Sequence, residues 1–238
     1  MNRTNRPFGI GVAVIALLVT VGHAQASQGE RAGGPPAAGR GRAGGPALPS
    51  LMQTTPKPAI ANAKPVRSCE SLANVALPNT AIESAAIDPS NPGACRVTAV
   101  TTHPPAGDKV RIWVAIPTTN WNGRFLGTGG GGFSGGSAAG VNPPVAQGFA
   151  AGATDTGHPD ASGKFALDAK GRLDWQAIRD NGHVGIHEMT LAGKALTQAM
   201  YGVAPKYSYF NGCSTGGRKY KGSGSTDDIA NFVCSAGF

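Results

Sequence analysis

Gly212-Cys213-Ser214-Thr215-Gly216 is the segment that most restricts how this chain can fold. It has the G-x-S-x-G pattern and follows a short β-prone run, Tyr207-Ser208-Tyr209-Phe210. A serine at the centre of that pattern suits a sharp turn from a strand into a helix. The flanking glycines let the backbone bend tightly and keep bulk away from the hydroxyl. The position of the pattern matters as well. Ser214 is followed by 24 residues, and the five histidines, at 23, 103, 158, 183 and 187, all precede it. Folds that use this turn take their triad in the order Ser, then Asp or Glu, then His. By that order the chain offers the first member and leaves little room for the last.

The first residues read as a secretory signal. Arg3 and Arg6 precede an apolar stretch from Phe8 to Val21, and Ala24-Gln25-Ala26 fits a cleavage site. The stretch is shorter than the roughly 20 apolar residues of a membrane span. Residues 1–26 are therefore expected to be a signal peptide and the product to be secreted or periplasmic, with no stable membrane insertion. Residues 27–66 are rich in Gly, Pro, Ala and Arg and nearly lack large apolar side chains. Such a segment buries too little surface to offset its chain entropy and reads as a disordered linker. It also accounts for most of the formal charge of +8: residues 1–66 hold seven Lys/Arg and one acid, while residues 67–238 hold fourteen and twelve. With no basic face in the folded part, nucleic acid is not an expected partner.

From Val110 to Ile116 apolar residues alternate with others, the pattern of a strand with one buried face. Arg124–Thr128 and Gly148–Thr154 read as further strands, and Lys206–Phe210 as a fourth. A helix is expected from about Asp174 to Tyr201, interrupted near Asn181-Gly182 and stopped by Gly202. Strands separated by a helix or long crossovers imply an α/β fold with a partly parallel sheet and flanking helices. After Gly217 the apolar periodicity is lost, and residues 227–233 are expected to form at most a short turn.

Ser214 is the candidate nucleophile; the competing reading is an ordinary Gly/Ser loop. The glycine run Gly129–Gly132, after the second of these strands, suits an oxyanion loop better than a phosphate loop, because no Gly-Lys-Ser/Thr or G-x-G-x-x-G pattern accompanies it. An acyl-transfer serine needs main-chain N–H donors aimed at the developing oxyanion. One would come from Thr215, the residue after the nucleophile, and one from this loop. His187 and Glu188, inside the helix, read as structural. Asp155 and His158 lie at a strand end, in a loop that is either functional or bonded to its own backbone. His103, before two prolines, reads as surface loop. Of the four cysteines, Cys69 and Cys95 flank a Pro/Asn-rich stretch, and export permits disulfides. No C-x-x-C pair is present, so the sequence gives no support for a zinc site.

Several stretches together resemble the tannase/feruloyl esterase family of α/β-hydrolases. They are Cys69-Glu70-Ser71-Leu72 with Cys95; Trp121 to Leu126; the loop Gly129–Gly136; Ala153 to His158; His187 to Thr190; and Gly212 to Arg218. The resemblance covers roughly residues 67–218. It implies Ser214 as nucleophile, Gly132 and Thr215 as oxyanion-hole donors, and a Cys69–Cys95 disulfide. It also implies a carboxylic ester hydrolase acting on small aromatic-acid esters. The lid domain with its calcium site, the C-terminal strands and the triad Asp and His of such proteins have no counterpart here. The expectation is therefore an incomplete α/β-hydrolase fold over residues 67–218, a divergent tail over 219–238, no cofactor or metal, and a truncated, inactive enzyme. The alternative is a non-catalytic exported binding remnant, and a frameshift near Arg218 would account for the same break.

Overall fold

In the computed structural model, residues 57–212, 214–217 and, as main chain, 231–233 are described. The expected signal peptide, the linker up to residue 56, Cys213, and the tail from Arg218 apart from residues 231–233 lie outside them. Seven strands form one mixed sheet: β1 (Thr80–Asp88), β2 (Asn91–Thr101), β3 (Val110–Pro117), β4 (Arg124–Thr128), β5 (Ala150–Thr154), β6 (Tyr207–Asn211) and β7 (Asn231–Val233). Their spatial order is β1-β2-β3-β5-β4-β6-β7. Pairing is antiparallel from β1 through β3 to β5 and parallel from β5 through β4 and β6 to β7.

The crossovers from β4 to β5 and from β5 to β6 place helices on opposite faces. Between β4 and β5 the chain makes a 3-10 turn and α1 (Asn142–Ala146). Pro143 and Pro144 fall in the first turn of α1, where a missing N–H costs no intrahelical bond. Between β5 and β6 lie α2 (Trp175–Arg179), a π turn (Asp180–Val184) and α3 (Gly185–Tyr201). The expected interruption at Asn181-Gly182 is this π turn. Asp174 caps α2 by accepting from the Ala177 N–H at 3.0 Å, and Gly202 closes α3 in the left-handed conformation, φ 71°.

The main core lies under α3. Ile186, Met189, Leu196 and Met200 meet Val97, Ile112, Val114, Phe125 and Phe210 from the sheet. A smaller core under α1 joins Val141 and Val145 to Ala94, Ala115, Ala151 and Ala153. Strand β5 (A-A-G-A-T) is buried throughout, being covered on both faces. Its small residues let α3 come close: a Cβ at Gly193 would lie 2.4 Å from Phe125 Cε2, and one at Gly152 2.4 Å from Met189 Sδ. At the C-terminus of α3, Tyr201 donates its hydroxyl to the Pro117 carbonyl at 2.6 Å and packs 4.4 Å from the Trp121 ring; burial pushes its pKa up to about 12.

Three expectations change. The sequence reading placed no strand between Cys69 and Val110, yet β1 and β2 form a long hairpin there. Asp88 holds its end, accepting from Ser90 N at 2.8 Å and Oγ at 2.6 Å and pairing with Arg96. The Cys69–Cys95 disulfide ties β2 to the turn at Glu70–Asn74. The linker was drawn to residue 66, but residues 59–66 sit on the domain. Ile60 and Ala63 pack against the core, Ala59 N bonds Asn122 O at 2.8 Å, and Val66 N bonds Met200 O at 2.8 Å. Two apolar side chains and main-chain partners suffice to order a segment whose composition is otherwise loop-like. Finally, residues 231–233, expected in a turn at most, form β7 on the edge of β6. The free N–H and C=O groups of an edge strand are the template for such pairing.

Two expected outcomes follow. Gly193→Ala would gain up to about 1 kcal/mol in helix propensity but lose about 1–3 kcal/mol to overpacking against the fully buried Phe125, so a net lower melting temperature is expected. Asp88 is held below the ordinary carboxylate range by its bonds from Ser90 and Arg96. A lowered folded pKa stabilises above the unfolded value, near 3.9, and that stabilisation is lost as pH falls through the folded one. Asp88→Asn should therefore melt lower than wild type at pH 7, with the gap narrowing below about pH 4 in thermal scans.

Candidate active site

Strands β4 and β6 run parallel and in register, Arg124 opposite Tyr207 through Thr128 opposite Asn211. They end at the same level, so the glycine loop after β4 and the serine turn after β6 are neighbours. The Gly129 N–H bonds the Asn211 carbonyl at 2.9 Å and fastens the two together. Ser214 follows with φ 54° and an exposed side chain, and helical residues begin at Thr215. A left-handed φ is uncommon for a residue with a Cβ, and such backbone strain concentrates at functional sites. This is the β-to-helix corner expected from the motif.

Both motif glycines are required by contact. A Cβ at Gly216 would lie 2.4 Å from the Gly130 carbonyl oxygen, and one at Gly212 2.9 Å from the Gly216 carbonyl carbon. Thr215 Oγ1 donates to the Gly132 carbonyl, so the two residues expected to supply oxyanion donors touch. Gly132 has φ 59°. The glycine loop is folded on itself: Gly130 N donates to Gly135 O, and Ser134 donates to Gly131 O through N at 3.2 Å and Oγ at 2.9 Å.

A second layer holds this loop. Asn181, in the π turn, donates through Nδ2 to the Phe133 carbonyl at 2.7 Å and lies 3.1 Å from Thr156 Oγ1 and 2.5 Å from His158 Nε2. His158 stacks on Phe165 at 3.8 Å, and Phe165 in turn lies 6.1 Å from Phe133. Asp155 accepts from Gly157 N at 2.8 Å and Arg111 N at 2.9 Å. Burial raises its pKa against those bonds. The loop of residues 155–158 thus bonds its own backbone and positions its neighbours. Asn181 was read in the sequence as part of a helix break; the Asn-Gly pair marked the break but not the contact.

The remaining sequence candidates fall elsewhere. His103, read as surface loop, is instead half-buried, its Nδ1 2.5 Å from Asp108 Oδ2. It follows β2, four strand positions from β6, roughly 19 Å away at the usual strand spacing. His187 lies in α3, its ring 5.9 Å from that of His183. Among the described residues, His103 bonds Asp108, and His158 lies within reach of Thr156 and Asn181. A cavity of about 500 Å³ opens beside the serine turn on the α1 face of the sheet, lined by Leu126, Thr128, Gly129, Pro144, Asn211 and Gly212 among others. Ser214 is not part of its wall.

A mixed sheet, helices on both faces and a serine on a strained β-to-helix corner define the α/β-hydrolase fold. Residues 95–222 match the family described as tannase and feruloyl esterase, and the chain belongs to that family. It is 36% identical over 141 residues to a probable feruloyl esterase of Arthroderma benhamiae, covering 55% of this chain and 26% of that protein. It is 37% identical over 132 residues to a tannase of Aspergillus oryzae, covering 52% and 22%. Among solved structures, feruloyl esterase B from Aspergillus oryzae superposes with a TM-score of 0.59 at 26% identity, covering 70% of this chain and 36% of that one. The chain spans about a quarter of the length of these curated relatives.

Truncating Asn181 tests the second layer. Asn181→Ala removes that donor from the Phe133 carbonyl, an expected cost of about 0.5–1.5 kcal/mol for a part-buried hydrogen bond. Faster amide exchange across residues 130–136 than in wild type is the expected readout.

Proposed function

We propose that this chain is the nucleophile-bearing part of an exported serine carboxylic ester hydrolase acting on aromatic-acid esters. The observation that carries the reading is Ser214, exposed at φ 54° on the β6-to-helix corner, against the glycine loop. Its hydroxyl oxygen would attack the ester carbonyl, and the oxyanion would be received by the N–H groups of Thr215 and Gly132. The Thr215 N–H opens a helix, where no intrahelical acceptor exists. Thr215 Oγ1, bound to Gly132 O, keeps the two donors at one spacing. An imidazole must take the serine proton, and a carboxylate must orient it. Neither role is assigned to a described residue.

The aromatic-acid preference is supported by the relatives, which are named for feruloyl and tannin esters. Export is supported by the first 26 residues and by the Cys69–Cys95 disulfide, a bond favoured in oxidising compartments. No cofactor takes part in this chemistry as drawn. One observation favours a second reading, a non-catalytic exported protein that binds such an ester: the cavity of about 500 Å³ beside the serine turn.

Assays of the purified chain with p-nitrophenyl acetate and methyl gallate separate these. Turnover no faster than that of Ser214→Ala is expected of this polypeptide by itself. Ser214-dependent turnover at rates of about 1 s⁻¹ or more would show that the base is present after all. Saturable methyl gallate binding without hydrolysis would favour the binding reading.

A further inference from the structure

The cavity beside the serine turn is built by β4, β6 and the segment around α1. Alternation along β4 turns Phe125 into the core under α3 and sends Leu126 and Thr128 to the other face. The same alternation on β6 puts Asn211, in register with Thr128, on that face too. Leu126, Thr128 and Asn211 all line the cavity. Pro144 of α1, Gln147 at its C-terminus and Ser137 before the preceding 3-10 turn line it as well. Gly129, Gly130 and Gly212 complete the wall, so the cavity shares main chain with the glycine loop and the serine turn.

These walls offer apolar surface and uncommitted hydrogen-bonding groups, but no charge. Leu126 and Pro144 present hydrocarbon. The side-chain amides of Asn211 and Gln147 and the Ser137 hydroxyl make no hydrogen bond among the described residues. Among those residues no Lys, Arg, His, Asp or Glu lines the cavity. Its volume of about 500 Å³ lies within the range of small-molecule sites, about 300–1,000 Å³. A charge taken out of water without a partner is costly. An uncharged ring instead gains by covering Leu126 and Pro144, and its hydroxyls find amide and hydroxyl partners at the edge.

We propose that this cavity holds the hydroxylated aromatic ring of an uncharged phenolic ester and discriminates against the free acid. The inference rests on the aromatic-ester reading above and holds whether the ester is then cleaved or only held. The wall made by Gly129 and Gly212 brings such a ring to the segments that carry the corner, and Ser214 stands two residues beyond Gly212. No motif announces the cavity in the sequence, because its members come from separate elements.

Neutral walls give the site a direction. Hydrolysis adds water across the ester bond and yields an alcohol and a carboxylic acid, which ionises at neutral pH. The carboxylate meets no cation in the wall, so the acid is held more weakly than the ester from which it came.

The test is calorimetric titration of the whole Ser214→Ala chain, which cannot turn over through the serine, with methyl gallate and with gallic acid. At about pH 6 the acid is ionised, because carboxyls titrate near 4. Saturable binding of the ester at about 1 mM or tighter is expected for a ligand of this size. The acid should bind more weakly by roughly tenfold or more. Ser137→Trp, whose indole would occupy the cavity, should weaken the ester by roughly tenfold, and Gln147→Ala by roughly threefold to tenfold. Both positions are exposed, so circular dichroism should remain that of wild type. Absence of saturable methyl gallate binding would overturn the proposal. So would affinity undiminished in Ser137→Trp, or gallic acid bound as tightly as its ester. Ester cleavage is decided separately, by Ser214-dependent turnover of the wild-type chain, so the two readings fail independently.

Discussion

The in-register parallel pairing of β4 with β6 is the constraint on which the site depends. Strands that end level deliver their following loops to the same height, and here those loops are the glycine run and the serine turn. A slip of one residue would move every side chain of β6 to the opposite face. Phe210 would leave the core beneath α3, and Tyr209 would enter it. The register is thus set by burial of Phe125 and Phe210 on one face, and the chemistry at the strand ends inherits its alignment from the core.

The two faces of the sheet are not equally covered. Under α3 the packing is close, with glycines at the two tightest approaches and methionines filling the space between ring and helix. Under α1 a helix of five residues covers mainly alanines of β2, β3 and β5. Leu126 and Thr128 of β4 face the 500 Å³ cavity on that side. The closely packed side of the domain is therefore the side that carries the π turn and Asn181.

What could be read in the sequence was what is local. β3 shows itself by alternation, α3 by periodicity and a glycine stop, and the serine corner by a five-residue pattern. The hairpin β1–β2 was missed because T-A-I-E-S-A-A-I-D carries few large apolar residues and lies at the sheet edge, where little burial is demanded. Residues 59–66 were missed because two apolar side chains in a Pro- and Ala-rich run do not stand out. In the site, Ser214 was legible and Asn181 was not. The partner of Asn181, Phe133, lies 48 residues away, and such a contact follows from the π turn rather than from any motif. The setting of His103 likewise depends on acids from separate segments, Asp108 bonded to its Nδ1 and Glu188 3.8 Å from its Nε2.

The contact between Gly216 and the Gly130 carbonyl has a consequence for where the surroundings of Ser214 can vary. Two backbones touch there with no side-chain padding, so neither loop can retreat or advance alone. Variation around the serine turn must instead fall on positions outside this seam, such as Ser137 on the wall of the neighbouring cavity.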